Sequence, residues 1–412
     1  MNPFVKKYQL SKIEKFIIGS MIILPYTLLR FGIMGFGEVY FIWLFIYVIQ
    51  RPIITNWINS FHFSRFWVFY LLVSFFGFIY NVVFLKHATG TFEGMLFDFG
   101  AFIIVLMTCF SLENLIKRGR INTYAILRNI FLVSSIAMVI LFVISLYTDA
   151  IFGISLKYYH YFVPLADNLH QISMSLVPLP FIGLKVFSVE KKWWMRLIVV
   201  ILLFMDAYMA FNTGSTKAYL SVYSGAFSFL ILYVYFKFQR KSRILLLVLV
   251  LSIFVSAAIY YREQIATYAI GYFIDNDLES GRQILYTDAL KIGVTSPFIG
   301  LGTGVHIWED DKFWDVHQSF LAAFLHAGII GVILLTNIFY KTLKRNLKEP
   351  AIFAAIIAIL LYALGGDILR RLPIWVFMVL FFYYNKKDES FFGKFKTKYR
   401  LIFKQQPFQN QQ

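Results

Sequence analysis

Cysteine is nearly absent from this 412-residue chain: Cys109 stands alone, which excludes an intramolecular disulfide and a thiolate metal cluster. Charge is scarce too. Charged residues make up 15% of the chain against 59% hydrophobic and 20% aromatic ones, too little polar surface to cover a water-soluble globule. No internal repeat of about 20–50 residues recurs, and no low-complexity segment precedes the Gln-rich, basic end after Lys386. There is no Ser-His-Asp nucleophile signature, EF-hand or His-x-x-x-His pattern. The glycines of GLGTG (300–304) lack the Lys-Ser/Thr that completes a phosphate loop, so after Pro297 they read as tight turns.

What the chain has in quantity is apolar runs of about twenty residues, the length that spans a bilayer core. Twelve candidate spans can be marked: 14–32, 36–50, 66–85, 95–112, 125–147, 169–189, 194–212, 217–236, 244–261, 317–340, 351–366 and 368–385. They predict an all-α polytopic membrane protein. The first span follows a Lys-bearing leader without a small-residue cleavage site, which predicts that it is retained. Sorting Lys and Arg into alternating connections tests the count, because positive charge is held on the cytoplasmic side. With the N-terminus inside, 29 of 39 basic residues fall inward and 16 of 22 acidic residues outward. The net charge of +17 is therefore a topology signal and not a nucleic-acid footprint. The predicted organisation is one transmembrane domain over 1–385 with both termini cytoplasmic, an extracytoplasmic loop at 262–315, and a basic cytoplasmic tail at 386–412.

The 262–315 loop is the only long polar excursion between spans. It carries nine acidic residues against Arg262, Arg282, Lys291 and Lys312, which excludes a diffuse anion-attracting surface. Residues 282–292 place Leu285, Ala289 and Ile292 on one face, the pattern of a short amphipathic helix at the membrane surface. Polar groups in or beside spans gather at the outward ends: Asp167, Asn168, His170 and Gln171, then Asp206, Lys217, and Asp367 with Arg370 and Arg371. Such groups are costly in lipid, and their position on one side implies a polar cavity open to the outside. Arg282, Lys217, Arg370 and Arg371 are cations able to clamp a phosphate; for Arg282 the competing reading is a salt bridge to Glu279 or Asp288. His317 stands at the start of the tenth span. A helix N-terminus there disfavours the imidazolium and suits a general base, against the plainer reading of a satisfied interfacial histidine. His326, over two turns deeper, reads as packing, and His306 fits either role. Asp310, Asp311, Asp315 and His317 offer metal-ligand atoms, but in no recognised spacing.

Residues 281–331, GRQILYTDALKIGVTSPFIGLGTGVHIWEDDKFWDVHQSFLAAFLHAGIIG, resemble the signature of the O-antigen ligase/polymerase superfamily. The shared order is an Arg before an amphipathic helix, a Pro and a G-x-G turn, a variable insert, then His-Asn-x-x-Leu and a Gly-rich helix. DNLHQISMSLVPLP is similar to the family's Asn-bearing span, and TGSTKAYLSVYSG to its Ser-Arg-Gly/Ala segment. Two positions depart: Lys217 stands where the family has Arg, and Gln318 where it has Asn.

The resemblance implies a glycosyltransferase that uses a polyprenyl-diphosphate-linked oligosaccharide as donor, with no cofactor, metal or nucleotide. It implies catalytic roles for His317, as base toward the acceptor hydroxyl, and for Arg282, on the diphosphate. Lys217, Arg370, Arg371, Gln318, Asn168 and His170 are the expected substrate-binding residues. The implied location is the bacterial inner membrane, with the active site facing the periplasm or outside. A chain-length regulator protein is an implied partner besides the lipid bilayer, and nucleic acid is not. Within the superfamily the expectation is a polymerase joining repeat units of O-antigen or capsule. Alternatives are a ligase moving glycan to lipid A–core or protein, a flippase for the lipid-linked oligosaccharide, and a non-enzymatic scaffold.

Overall fold

The computed structural model describes residues 9–31, 34–85, 92–238, 240–260, 279–305, 307–309, 312–314 and 316–385. The predicted tail at 386–412 lies outside them, as do 262–278, 306, 310, 311 and 315 of the loop. Helices dominate, in chain order: α1 Lys12–Ile23, α2 Phe36–Ile49, α3 Trp57–Ser60, α4 His62–Tyr80 continued by a π turn at Asn81–Leu85, α5 Phe92–Lys117 and α6 Thr123–Ser145. Then come α7 Leu169–Leu176, α8 Leu179–Val189, α9 Trp193–Asn212, α10 Thr216–Lys237, α11 Arg240–Tyr260, α12 Glu279–Gly293, α13 Ser319–Asn346, α14 Pro350–Gly365 and α15 Leu372–Phe382. Strand structure among the described residues is confined to small antiparallel hairpins, among them Arg30–Phe31 with Met34–Gly35 and Ile307–Glu309 with Lys312–Trp314.

A helix lies on every one of the twelve predicted spans. Seven helical segments among the described residues are long and apolar enough to cross a membrane: His62–Leu85, Leu96–Lys117, Thr123–Ser145, Leu169–Val189, Trp193–Asn212, Thr216–Lys237 and Ser319–Asn346. The others on apolar segments fall short. At 1.5 Å per residue the eleven residues of α15 reach only about 16 Å, half of a hydrocarbon core of about 30 Å. Its sequence LPIWVFMVLFF is apolar all round, as suits a helix buried on every side, and Trp375, Val376 and Leu380 have no exposed surface. Helix α14 is similarly enclosed. Long helices surround this pair and turn Phe69, Leu72, Phe75, Phe76 and Ile79 of α4 outward, the lipid-facing surface of the reading above.

Among the described residues, the acidic ones that the charge sorting placed on the basic side, Glu14, Glu113, Glu190 and Glu349, each tie elements together. Glu14 completes a capping box with Ser11 and accepts the Asn122 N–H at 2.8 Å. Glu113, fully buried, accepts the N–H groups of His62, Phe63 and Ser64 at 2.7, 3.0 and 2.8 Å, and the Tyr383 hydroxyl at 2.8 Å. It thereby caps the start of α4 from another helix. Glu190 pairs with Arg128 at 3.1 Å and Glu349 with Lys185 at 2.7 Å.

Helix α13 is broken at Ala327 and at Gly328 (φ 61°). The break exposes backbone groups that the segment 297–302 satisfies: Leu301 N–H bonds to the Leu325 carbonyl at 2.7 Å, Gly302 N–H to His326 at 3.1 Å, and Ile329 N–H to Pro297 at 2.8 Å. Non-helical backbone at membrane depth is thus buried against protein, the condition under which it is tolerated. The approach is close. A Cβ on Gly300, whose φ is +71°, would sit 2.5 Å from the backbone of His326 and Ala327. The glycines expected to make tight turns therefore also admit one backbone against another.

Candidate functional site

The side of the bundle opposite those acidic ties gathers the ends of α1 and α14 and the starts of α2, α7, α10 and α13. Trp375 fixes the turn between α14 and α15 by donating its indole N–H to the carbonyls of Ile368 and Leu369 at 3.1 and 3.0 Å. This turn carries Arg370 and Arg371. Ser319, the first residue of α13, bonds its hydroxyl to the Gly366 carbonyl at 2.6 Å and receives the Ile368 N–H at 3.0 Å. The start of α13, with His317 two residues before it, is therefore locked to the arginine turn.

Both arginines line a cavity of about 270 Å³ with Arg30, Glu38 and Gln171. Arg30 pairs with Asp167, and the Asp167 N–H bonds to the Thr27 hydroxyl at 3.2 Å, joining the first hairpin to the approach of α7. Arg370 is held at 2.7 Å by Asp98 and lies 3.7 Å from Asp367. Asp98 is 3% exposed. Glu38, in the first turn of α2, accepts the Gly35 N–H at 3.0 Å. Arg370 also borders a narrow cleft with Val316 and His326, so it stands between the cavity and the segment of His317. His326 is packed as expected, 3.2 Å from the Tyr70 hydroxyl and against the Phe102 ring.

On the other flank, α12 docks on α13. The predicted apolar face is real, but Leu285 and Ala289 bury against Val316 and Leu325 of the protein. Position 282 lies one turn before Leu285; the side chain of Arg282 is outside the described residues. Asp288, its suggested partner, pairs with Lys291 at 2.8 Å. Between α12 and the start of α13 runs an open, mainly apolar groove of about 460 Å³ with Gln318 in its wall.

The remaining expected residues are spread over this side. Gln318 caps α13 with its side-chain carbonyl, which accepts the Leu321 N–H. Asn168 caps α7 in the same way, accepting the His170 N–H at 2.8 Å. The His170 carbonyl accepts from the Tyr362 hydroxyl at 3.1 Å, and Tyr362 also bonds Ser173 at 2.7 Å. Lys217 is buried in the first turn of α10. Gly225 of α10 abuts the Ala354 carbonyl of the antiparallel α14, and eight residues from that crossing along each helix bring Lys217 level with Tyr362. Asp310, Asp311 and Asp315 lie outside the described residues. Arg30, Glu38 and Asp98 were missed by sequence reasoning. Their signal was available, since each is a charge inside or at the edge of an apolar segment.

Fold and site together define a multi-pass membrane protein with a polar cavity and an apolar groove flanking one helix start. Residues 197–336 match the model of the family described as O-Antigen ligase. That match covers about a third of the chain; it is a likeness of this segment that supports the O-antigen ligase/polymerase superfamily and a membrane glycosyl-transferring enzyme. It contains Lys217, Arg282, His317 and Gln318, and excludes Arg30, Glu38, Asn168, His170, Gln171, Arg370 and Arg371. No curated protein and no solved structure matches the chain.

Proposed function

We propose that this protein is a polysaccharide polymerase of the bacterial inner membrane, transferring a glycan from a polyprenyl diphosphate to a repeat unit on the outward face. The observation that carries the reading is the start of α13. There His317 and Gln318 lie between an apolar groove suited to a lipid chain and an arginine-bearing turn that Ser319 fastens in place.

In the proposed reaction His317 takes the proton from the acceptor hydroxyl, whose oxygen bonds to the donor's anomeric carbon. The bond from that carbon to the diphosphate breaks, and the polyprenyl diphosphate leaves with the electron pair. Arg282, aided by Lys217, stabilises the negative charge that develops there. Direct displacement without a protein nucleophile inverts the anomeric centre, and the resemblance implies no metal.

Transfer to lipid A–core or protein is the second reading, favoured by the description O-Antigen ligase carried by the matching family. Deletion of the gene separates the two. Loss of a polymerase leaves single repeat units on the acceptor; loss of a ligase leaves long polymer on its lipid carrier, which would overturn the polymerase assignment.

A further inference from the structure

The cavity of about 270 Å³ bounded by Arg30, Glu38, Gln171 and Arg371 has a chemistry that a diphosphate does not explain. Its cations are matched by acids. Arg30 faces Asp167, Arg370 faces Asp98 and Asp367, and Glu38 lines the same cavity as Arg30 and Arg371. Three guanidinium groups thus meet four carboxylates, and a di-anion would gain little net attraction there. Alternating strong donors and strong acceptors instead suit a ligand dense in neutral hydroxyls, each of which donates to a carboxylate and accepts from a guanidinium.

A second observation points the same way. The side-chain carbonyl of Gln171 in the cavity wall has no hydrogen-bond partner among the described residues. Buried acceptors are rarely left so, and a ligand O–H is what this one lacks. Phe36 and Phe97 supply apolar wall, a match for the C–H face of a sugar ring. The volume falls below the roughly 300–1,000 Å³ of pockets for drug-sized ligands, a space for a ring or two and not for a lipid chain. These lining residues lie outside the segment that matches the family, so family membership does not assign them.

Resting on the function proposed above, we infer that this cavity is the sugar subsite of the acceptor, and that Glu38 and Gln171 set which sugar is accepted. The donor lipid takes the groove on the other flank of α13, which leaves the cavity beside Arg370 for the incoming hydroxyl.

The test uses the full-length protein in detergent, its lipid-linked repeat unit as donor, and as acceptor the repeat-unit oligosaccharide freed from its carrier by mild acid. Glu38→Gln keeps a capping-box acceptor for the Gly35 N–H while removing the charge; Gln171→Leu removes the amide. Each should raise the KM for the oligosaccharide about tenfold or more, the scale of a hydrogen bond to a charged or buried group, with kcat little changed. Inhibition by inorganic pyrophosphate should stay as in wild type. An unchanged KM in both variants, or weakened pyrophosphate inhibition at an unchanged KM, overturns the subsite. Should wild type fail to transfer at all, the proposed function falls but the subsite is still tested. Oligosaccharide binding followed by tryptophan fluorescence then weakens in the two variants if the subsite is real, and equal binding overturns it.

Discussion

At the scale of the residue, Arg370 and Arg371 are adjacent in sequence and line the same cavity. Arg370 is an ion-pair partner of Asp98, whose side chain is 4% exposed, so removing the guanidinium leaves a carboxylate buried without its counter-charge. Arg370→Leu should cost about 3–5 kcal/mol, seen as a large fall in detergent melting temperature. Adding Asp98→Asn should recover much of it, and a single variant as stable as wild type would contradict the pairing. Sequence alone singled out Arg370, Arg371 and His317 as candidates because each stands at a span end, where a charge or imidazole is conspicuous. It could not find the partner of Arg30, because Asp167 is 137 residues away and only folding brings them together. Nor could it separate a binding amide from a capping one: Asn168 and Gln318, both expected to touch substrate, each commit a side-chain carbonyl to a helix start.

At the scale of the element, apolar run length located every helix on a predicted span, and spacing located α12 with the face that it buries. The break in α13 was not legible. No proline marks it, and the groups that repair it come from 297–302, a segment whose glycines signalled only turns. Gly300→Ala would force a methyl group to within 2.5 Å of the Ala327 backbone at a φ of +71°. The strained conformation alone costs about 1–3 kcal/mol, and the clash adds to it. The variant should melt earlier and lose transfer, because the break sets how the His317 end of α13 meets the arginine turn. Wild-type stability for Gly300→Ala would show that the two backbones are not apposed. The length of the short central helices was also hidden, since an apolar run of eleven to sixteen residues buried in protein reads like part of a span.

At the scale of the whole molecule, the sorting of charge predicts which side faces the cytoplasm, and the lone Cys109 makes the prediction easy to check. In a Cys109→Ser background, Lys157→Cys should react with a membrane-impermeant thiol reagent added to intact cells, and Lys191→Cys only after the membrane is opened. Labelling of both from outside would invert or break the topology. A bundle with this orientation presents the start of α13, the arginine turn and the groove to the outward leaflet together, where a lipid-linked glycan can enter sideways and its acceptor from water. The central claim, that His317 and Arg282 perform glycosyl transfer there, is tested most directly by polyprenyl diphosphate released per glycosidic bond formed by the purified protein. Wild type should release one for each bond. His317→Ala should fall by about 10²–10⁴-fold, and Arg282→Ala by about 10²–10³-fold, at unchanged melting temperature. Full turnover in both folded variants would contradict the account.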